Sequence, residues 1–237
     1  MRRGNISLME VRTAMRKVFI GVGHGGSDPG ACANGLRESD VNLEMALAMK
    51  AELERYGVTV GISRVKDEND RLAEEIRECN AFAPELAVEV HNNAGGGDGF
   101  ECFVNGRDSV ARRLAECIET EVKQIGQNSR GIKVSTSLGW VNKVKAPAVL
   151  CEVFFLDSAD RMIANTADKQ RRFGQAYARG VLKQLGIPVK AQGQQQPAAP
   201  TDRKIVQERF GFDDSTMLYL DGYRFAAALY QRLAETK

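Results

Sequence analysis

The chain contains two histidines, and each stands where an apolar run gives way to a polar loop. Lys17-Val18-Phe19-Ile20-Gly21-Val22 leads into Gly23-His24-Gly25-Gly26, and Leu86-Ala87-Val88-Glu89-Val90 leads into His91-Asn92-Asn93-Ala94. Runs of this length and composition predict buried strands. Open α/β sheets collect their ligands just beyond the ends of such strands, so two imidazoles arriving there point to a metal site. A catalytic zinc takes three protein ligands from His, Glu, Asp or Cys and keeps one position open. Glu38 is the best third donor, because it ends the Gly-rich loop that begins at His24, and glycines let such a loop curl its two ends toward one point. Asp28 and Asp40 are rivals. Asp40, with Ser39, reads better as the N-cap of the helix that follows.

Metal-assisted hydrolysis also needs a general base. Glu152 is the only charged residue within Ala148-Val149-Leu150-Cys151-Glu152-Val153-Phe154-Phe155. A carboxylate inside a central strand is costly unless it is paired or functional; on an edge strand it would simply face solvent. Each element is weak alone. A histidine after a strand is commonly a satisfied polar residue, and a glutamate at a helix start is favoured by the helix dipole. The joint arrangement carries the argument. Gly21-Val22-Gly23-His24-Gly25-Gly26 also fits the dinucleotide fingerprint G-x-G-x-x-G, but that motif must open directly into a helix. Here Ser27-Asp28-Pro29-Gly30 intervenes, and the second strand ends in Ser63-Arg64 rather than an acid.

The elements that must position these residues follow from periodicity. Strands are expected at 17–22, 58–63, 86–91, 99–105 and 147–155. Helices are expected at about 40–56, 70–83, 108–125, 158–165 and 167–185. Strands alternating with amphipathic helices predict an α/β domain with helices on both faces of the sheet. Gln192-Gly193-Gln194-Gln195-Gln196-Pro197-Ala198-Ala199-Pro200 reads as a polar linker. The predicted organisation is an extension over 1–16, a catalytic domain over 17–190, a linker over 191–200 and a small C-terminal helical segment over 201–237. In that segment helices are expected at about 202–209 and 215–235. Its large apolar residues, among them Met217, Leu220, Tyr223, Phe225 and Leu229, exceed what so short a unit can bury. It is expected to pair with a second copy as a homodimer or to dock, in preference to binding glycan.

Of the 237 residues, 27% are charged and 43% hydrophobic, and the net charge is +2. This balance argues against nucleic acid as a partner. No run is long and apolar enough for membrane insertion or a Sec signal peptide. Synthesis in the cytoplasm is therefore expected. The five cysteines form no CxxC pair, which fits a reduced protein better than a disulfide scaffold. Cys102 and Cys151 read as small buried hydrophobes.

The motifs also align with a known family. Gly23-His24-Gly25-Gly26-Ser27-Asp28-Pro29-Gly30, Gly35-Leu36-Arg37-Glu38, Asn42, Ser63-Arg64, Asp67, Arg71, Asn80, Val90-His91-Asn92-Asn93-Ala94, Gly99-Phe100-Glu101, Arg130-Gly131-Ile132-Lys133 and Pro147-Ala148-Val149-Leu150-Cys151-Glu152 follow one another in the family's order and spacing. Over roughly 17–186 the chain resembles the zinc-dependent N-acetylmuramoyl-L-alanine amidases of the type-3 amidase family. The resemblance implies a mixed, mostly parallel sheet flanked by helices, with Zn2+ on His24, Glu38 and His91 and Glu152 as catalytic base. The implied substrate is peptidoglycan, cut between N-acetylmuramic acid and L-alanine by an endolysin or autolysin acting on the wall after release or export. Asn92 and Asn93 are candidates for substrate contact, or for satisfying the strand-end backbone. Two positions depart from the family pattern. Glu89 stands where a small polar residue is usual, as a partner for the His91 ring or an outward charge on an edge strand. Phe154 replaces a small residue and is expected to narrow the cleft. The alternatives are a peptidoglycan-binding module without catalysis and a zinc peptidase acting on another amide.

Overall fold

The computed structural model describes residues 16–189, 207 and 209–211. The expectations for the extension, the linker and nearly all of the tail, including its pairing with a second copy, lie outside the described residues. The chain divides into two units, Met1–Val189 and Lys190–Lys237.

The sheet of the first unit has six strands: β1 Lys17–Val22, β4 Thr59–Ile62, β5 Leu86–Asn93, β6 Phe100–Val104, β7 Ser129–Val134 and β8 Ala148–Phe155. The two-residue strands β2 Cys32–Ala33 and β3 Leu36–Arg37 form a separate hairpin. The order across the sheet is β4-β1-β5-β8-β6-β7. Every pairing is parallel except β6 with β8, so the sheet is mixed and mostly parallel. β1 leads by one route to β4 and β5 lies on its other side, which makes the space beyond their C-terminal ends the switch point where such sheets bind ligands.

Helices cover both faces. α1 Glu38–Arg55, α3 Ser109–Gln124 and α5 Ala167–Gln184 bury Val41, Met45, Met49, Leu114, Ile118 and Phe173 against one face. α2 Leu72–Phe82 and the short α4 Gly139–Lys143 bury Ile76, Cys79, Trp140 and Val141 against the other. A 3-10 turn spans Ala159–Ile163. Cys102 and Cys151 face each other across β6 and β8 with Sγ atoms 3.4 Å apart, both fully buried. No helix among the described residues is long and apolar enough to cross a membrane.

Three local expectations need correction. α1 begins at Glu38, with Arg37 as N-cap and no side-chain cap. Loop carbonyls do that work: Glu38 N donates to Ala31 O at 2.9 Å and Ser39 N to Pro29 O at 3.1 Å, so the helix's orphan N–H groups need no Ser39 or Asp40 side chain. β7 is an additional strand, absent from the sequence expectations. Ser129-Arg130-Gly131-Ile132-Lys133-Val134 is an edge strand with no fully buried residue and so lacks the alternation that marks strands. Phe154 does not narrow a cleft. It is fully buried, in the core cluster that also holds residues of α1, α3 and α5.

Candidate active site

The site grows from the ends of β1, β5 and β8. Gly23 N donates to Val90 O at 3.1 Å, continuing the β1–β5 ladder to its limit. His24 then adopts φ 63°, uncommon for a residue with a side chain. The backbone reverses immediately afterwards, with Gly25 and Asp28 paired by hydrogen bonds of 2.7 and 3.0 Å. The His24 ring thereby meets the His91 ring edge to face, centroids 4.9 Å apart. The approach needs Gly23, because a Cβ there would lie 2.2 Å from His91 Cε1.

Glu38 stands between the two imidazoles. Its Oε2 is 3.3 Å from His24 Nε2, and its Oε1 is 3.0 Å from His91 Nδ1. The carboxylate is itself held: Ala31 N donates to Oε2 at 2.9 Å, and Asn92 N donates to Oε1 at 3.1 Å. The outer ring nitrogens also face acids. His24 Nδ1 is 2.9 Å from Asp28 Oδ2, and His91 Nε2 is 3.5 Å from Glu89 Oε1. Burial pushes the Glu38 carboxyl up, but the two imidazoles outweigh it and hold the group well below the usual carboxylate range. Burial works against a charged His91, yet Glu38 and Glu89 raise its pKa well above that of a free imidazole. Donor atoms of His24, Glu38 and His91 all lie within 4.8 Å of one another, an arrangement that can hold a metal ion. Two imidazoles and a carboxylate are a zinc-type donor set; Asp28 hydrogen-bonds the far nitrogen of His24, the contact by which metal-binding histidines are oriented, and Glu89 lies 3.5 Å from that of His91.

Glu152 lies opposite His91 in the β5–β8 register and opposite Glu101 in the β6–β8 register. β8 is therefore interior, and the solvent-facing edge reading does not apply. Glu152 Oε2 is sealed from solvent without a hydrogen-bond partner. Burial raises this carboxyl to about 7, with His91 opposing and Glu38 adding to the shift. The β5–β8 register slips between His91 and Asn93, a bulge of the kind that re-aims side chains beside functional sites.

A family profile described as N-acetylmuramoyl-L-alanine amidase (Amidase_3) matches residues 18–183. The chain belongs to the N-acetylmuramoyl-L-alanine amidase family. It is 34% identical over 172 residues to the N-acetylmuramoyl-L-alanine amidase CwlM of Bacillus licheniformis, covering 70% of this chain and 66% of that protein. It is 32% identical over 186 residues to the endolysin of Bacillus phage SPP1, covering 74% and 68% respectively. The chain thus spans about two thirds of the length of these relatives. Among solved structures, Cwp6 from Clostridium difficile superposes with a TM-score of 0.71 at 29% identity, covering 73% of this chain and 30% of that one. The catalytic domain of CwlV, an N-acetylmuramoyl-L-alanine amidase from Bacillus (Paenibacillus) polymyxa var. colistinus, gives 0.68 at 26%, covering 73% and 100%.

Within this amidase fold the rivals to Glu38 are engaged elsewhere. Asp28 holds His24, and Asp40 is exposed and paired with Arg37 at 2.6 Å. The two asparagines diverge. Asn92 is 3% exposed and its Nδ2 donates to Asn42 Oδ1 at 2.6 Å, so its side chain is turned into the core. Asn93 points the other way and donates to Glu101 Oε1 at 3.0 Å. Glu89 is buried on an interior strand, which removes the edge-strand reading. Arg64 is a support of the site to which sequence reasoning assigns no role. It is 2% exposed and donates to the carbonyls of Val22 (3.2 Å), Gly23 (3.3 Å) and Ser39 (2.7 Å), tying the loop before His24 to the start of α1. Its sequence signals are its place directly after the second strand and its presence, with Ser63, among the motifs that carry the family resemblance.

Proposed function

We propose that this amidase-family chain hydrolyses the amide joining N-acetylmuramic acid to L-alanine in peptidoglycan, with zinc held by His24, Glu38 and His91 and with Glu152 as the catalytic carboxylate. The observation that carries the reading is Glu152. Its carboxyl is enclosed, has one unpartnered oxygen and sits in register beside His91, and, without metal, burial pushes it up to about 7. A base poised near neutrality serves best, because it can both take and return a proton. When bound, the zinc supplies a Lewis acid that polarises the scissile carbonyl and acidifies the attacking water.

The chain's own residues do the rest. Glu38 stays ionised, held by two backbone N–H groups, so the donor set is preformed and little ordering is required. Asp28 holds the outer nitrogen of His24, and Glu89 places a negative charge 3.5 Å from that of His91. Glu152 Oε2 accepts the proton of the attacking water and passes it to the departing alanine nitrogen. Relatives named an endolysin of Bacillus phage SPP1 and a sporulation-specific amidase of Bacillus subtilis support wall lysis as the setting, in a phage or a bacterial autolysin.

Digestion of purified sacculi tests this. Mass spectrometry is expected to show stem peptides with free L-alanine amino termini and no new glycan reducing ends. Chelation should stop the release, and Glu152→Ala should keep the metal while releasing nothing. A parent protein that binds wall without releasing peptide would establish the non-catalytic binding module instead, and release confined to other peptide bonds would establish a peptidase.

A further inference from the structure

Beyond Glu152 the sheet carries a second charged group that the hydrolysis does not use. Glu101 on β6 faces the same side as its register partner Glu152 and is 6% exposed. Its Oε1 accepts from Asn93, while its Oε2 accepts from Arg130 Nε at 2.7 Å and from Lys133 Nζ. Residues 130 and 133 of a regular strand would point to opposite faces. Here the β6–β7 register slips, Phe100 pairing with Ser129 but Cys102 with Ile132. Gly131 takes φ +87° at that point, and the extra residue turns both basic side chains onto one face. Arg130 lies over the Phe155 ring, 5.2 Å from its centroid, and Lys133 over Phe103 at 5.8 Å. One acid thus holds two cations, leaving a surplus positive charge. Both cations remain accessible, their side chains 41% and 39% exposed. The two Nη groups of Arg130 have no hydrogen-bond partner among the described residues.

The direction of the substrate follows from the proposed amidase reading, on which this inference rests. The leaving nitrogen must lie beside Glu152 and the scissile carbonyl beside His24, Glu38 and His91. The sheet order β5-β8-β6-β7 then sends the peptide away from those ligands, over β6 and β7. In peptidoglycan the second stem residue is a glutamate linked through its side-chain carboxyl, so its α-carboxyl is either free or amidated. That group is about two residues, roughly 7 Å, from the leaving nitrogen. Strands stand about 4.8 Å apart, so β7 is roughly 10 Å from Glu152, and its long side chains reach back to the β6 column. We propose that Arg130 and Lys133, anchored by Glu101, bind the free α-carboxylate of the second stem residue, so that the enzyme prefers walls in which this carboxyl is not amidated. Guanidinium and ammonium donors gain most from an ionised acceptor.

The test compares initial rates of peptide release by the zinc-loaded full chain. The substrates are sacculi from one bacterium prepared with and without amidation of that carboxyl. The free-acid wall is expected to be cut roughly 10- to 100-fold faster at subsaturating substrate, the range expected of a charge-assisted hydrogen bond. Arg130→Gln and Lys133→Gln should each bring the two rates together, and Arg130→Lys should retain the preference. A merely structural role would lower both rates alike and leave their ratio untouched. Equal rates in the parent, or a ratio unchanged in both Gln variants, would overturn the assignment while leaving the amidase reading intact. Failure to cut either wall would overturn both.

Discussion

Replacing Glu152 with glutamine should remove activity and, in the metal-free protein, make the fold more stable. The folded carboxyl titrates at about 7 against 4.5 for an ordinary glutamate. Below pH 4.5 it is protonated in folded and unfolded chains alike, and the substitution changes little. Between 4.5 and 7 the unfolded chain has lost its proton while the folded chain keeps it. Stability therefore falls as pH rises across that window, and the penalty is complete above it. At about 1.4 kcal/mol per pH unit, the buried carboxylate costs about 3 kcal/mol at pH 8.5. Glutamine has no charge to bury and should recover most of that, raising Tm by roughly 6–12 °C for a domain of this size. Thermal unfolding of both proteins in chelator at pH 4, 6 and 8.5 measures it. The gap between them should be near zero at pH 4 and widest at pH 8.5. A variant no more stable than the parent at pH 8.5, or a gap independent of pH, would refute the claim that burial of this charge sets the titration. Peptide release should fall roughly 10²- to 10⁴-fold, the usual contribution of a positioned general base.

Zinc should raise Tm most at alkaline pH and progressively less below about pH 7. His24 and His91 both hold their protons more tightly than a free imidazole because of Glu38, and metal must displace those protons. Titrations by calorimetry at pH 6 and 8.5 would expose the competition, and equal affinities at both would count against it. Gly23→Ala places a methyl 2.2 Å from His91 Cε1. It should cost roughly 1–3 kcal/mol of stability and weaken zinc binding at least tenfold, read from chelator competition. Arg64→Met leaves buried carbonyls of Val22, Gly23 and Ser39 without their donor. It should cost roughly 1–3 kcal/mol in urea unfolding, whereas an unchanged midpoint would show that the clamp is dispensable.

Much of the site is legible in the sequence because its chemistry uses rare residues in costly places. Two histidines, each just after an apolar run, and an acid within the apolar run 148–155 stand out against the background of an α/β pattern. The strands and long helices are legible for the same reason, since buried faces impose apolar periodicity. The elements that escape such reading are held by contacts between distant segments. β7 is an exposed edge strand defined by its pairing with β6. α4 has five residues and is anchored through Trp140, whose Nε1 donates to Val149 O at 3.1 Å. The start of α1 depends on loop carbonyls that no local pattern encodes.

Residue types and spacing by themselves narrowed the candidates for holding a metal and moving a proton to the two histidines, an acid near His24 and Glu152, because few side chains can do that chemistry. Tertiary structure alone decided their electrostatics and their neighbours. Whether Asp28 pairs with His24, whether Asn92 is buried, and whether Arg130 and Lys133 share one acid all turned on register, bulges and burial. Those are set by which backbones lie side by side, and a charge acquires its pKa only from the groups that folding brings around it.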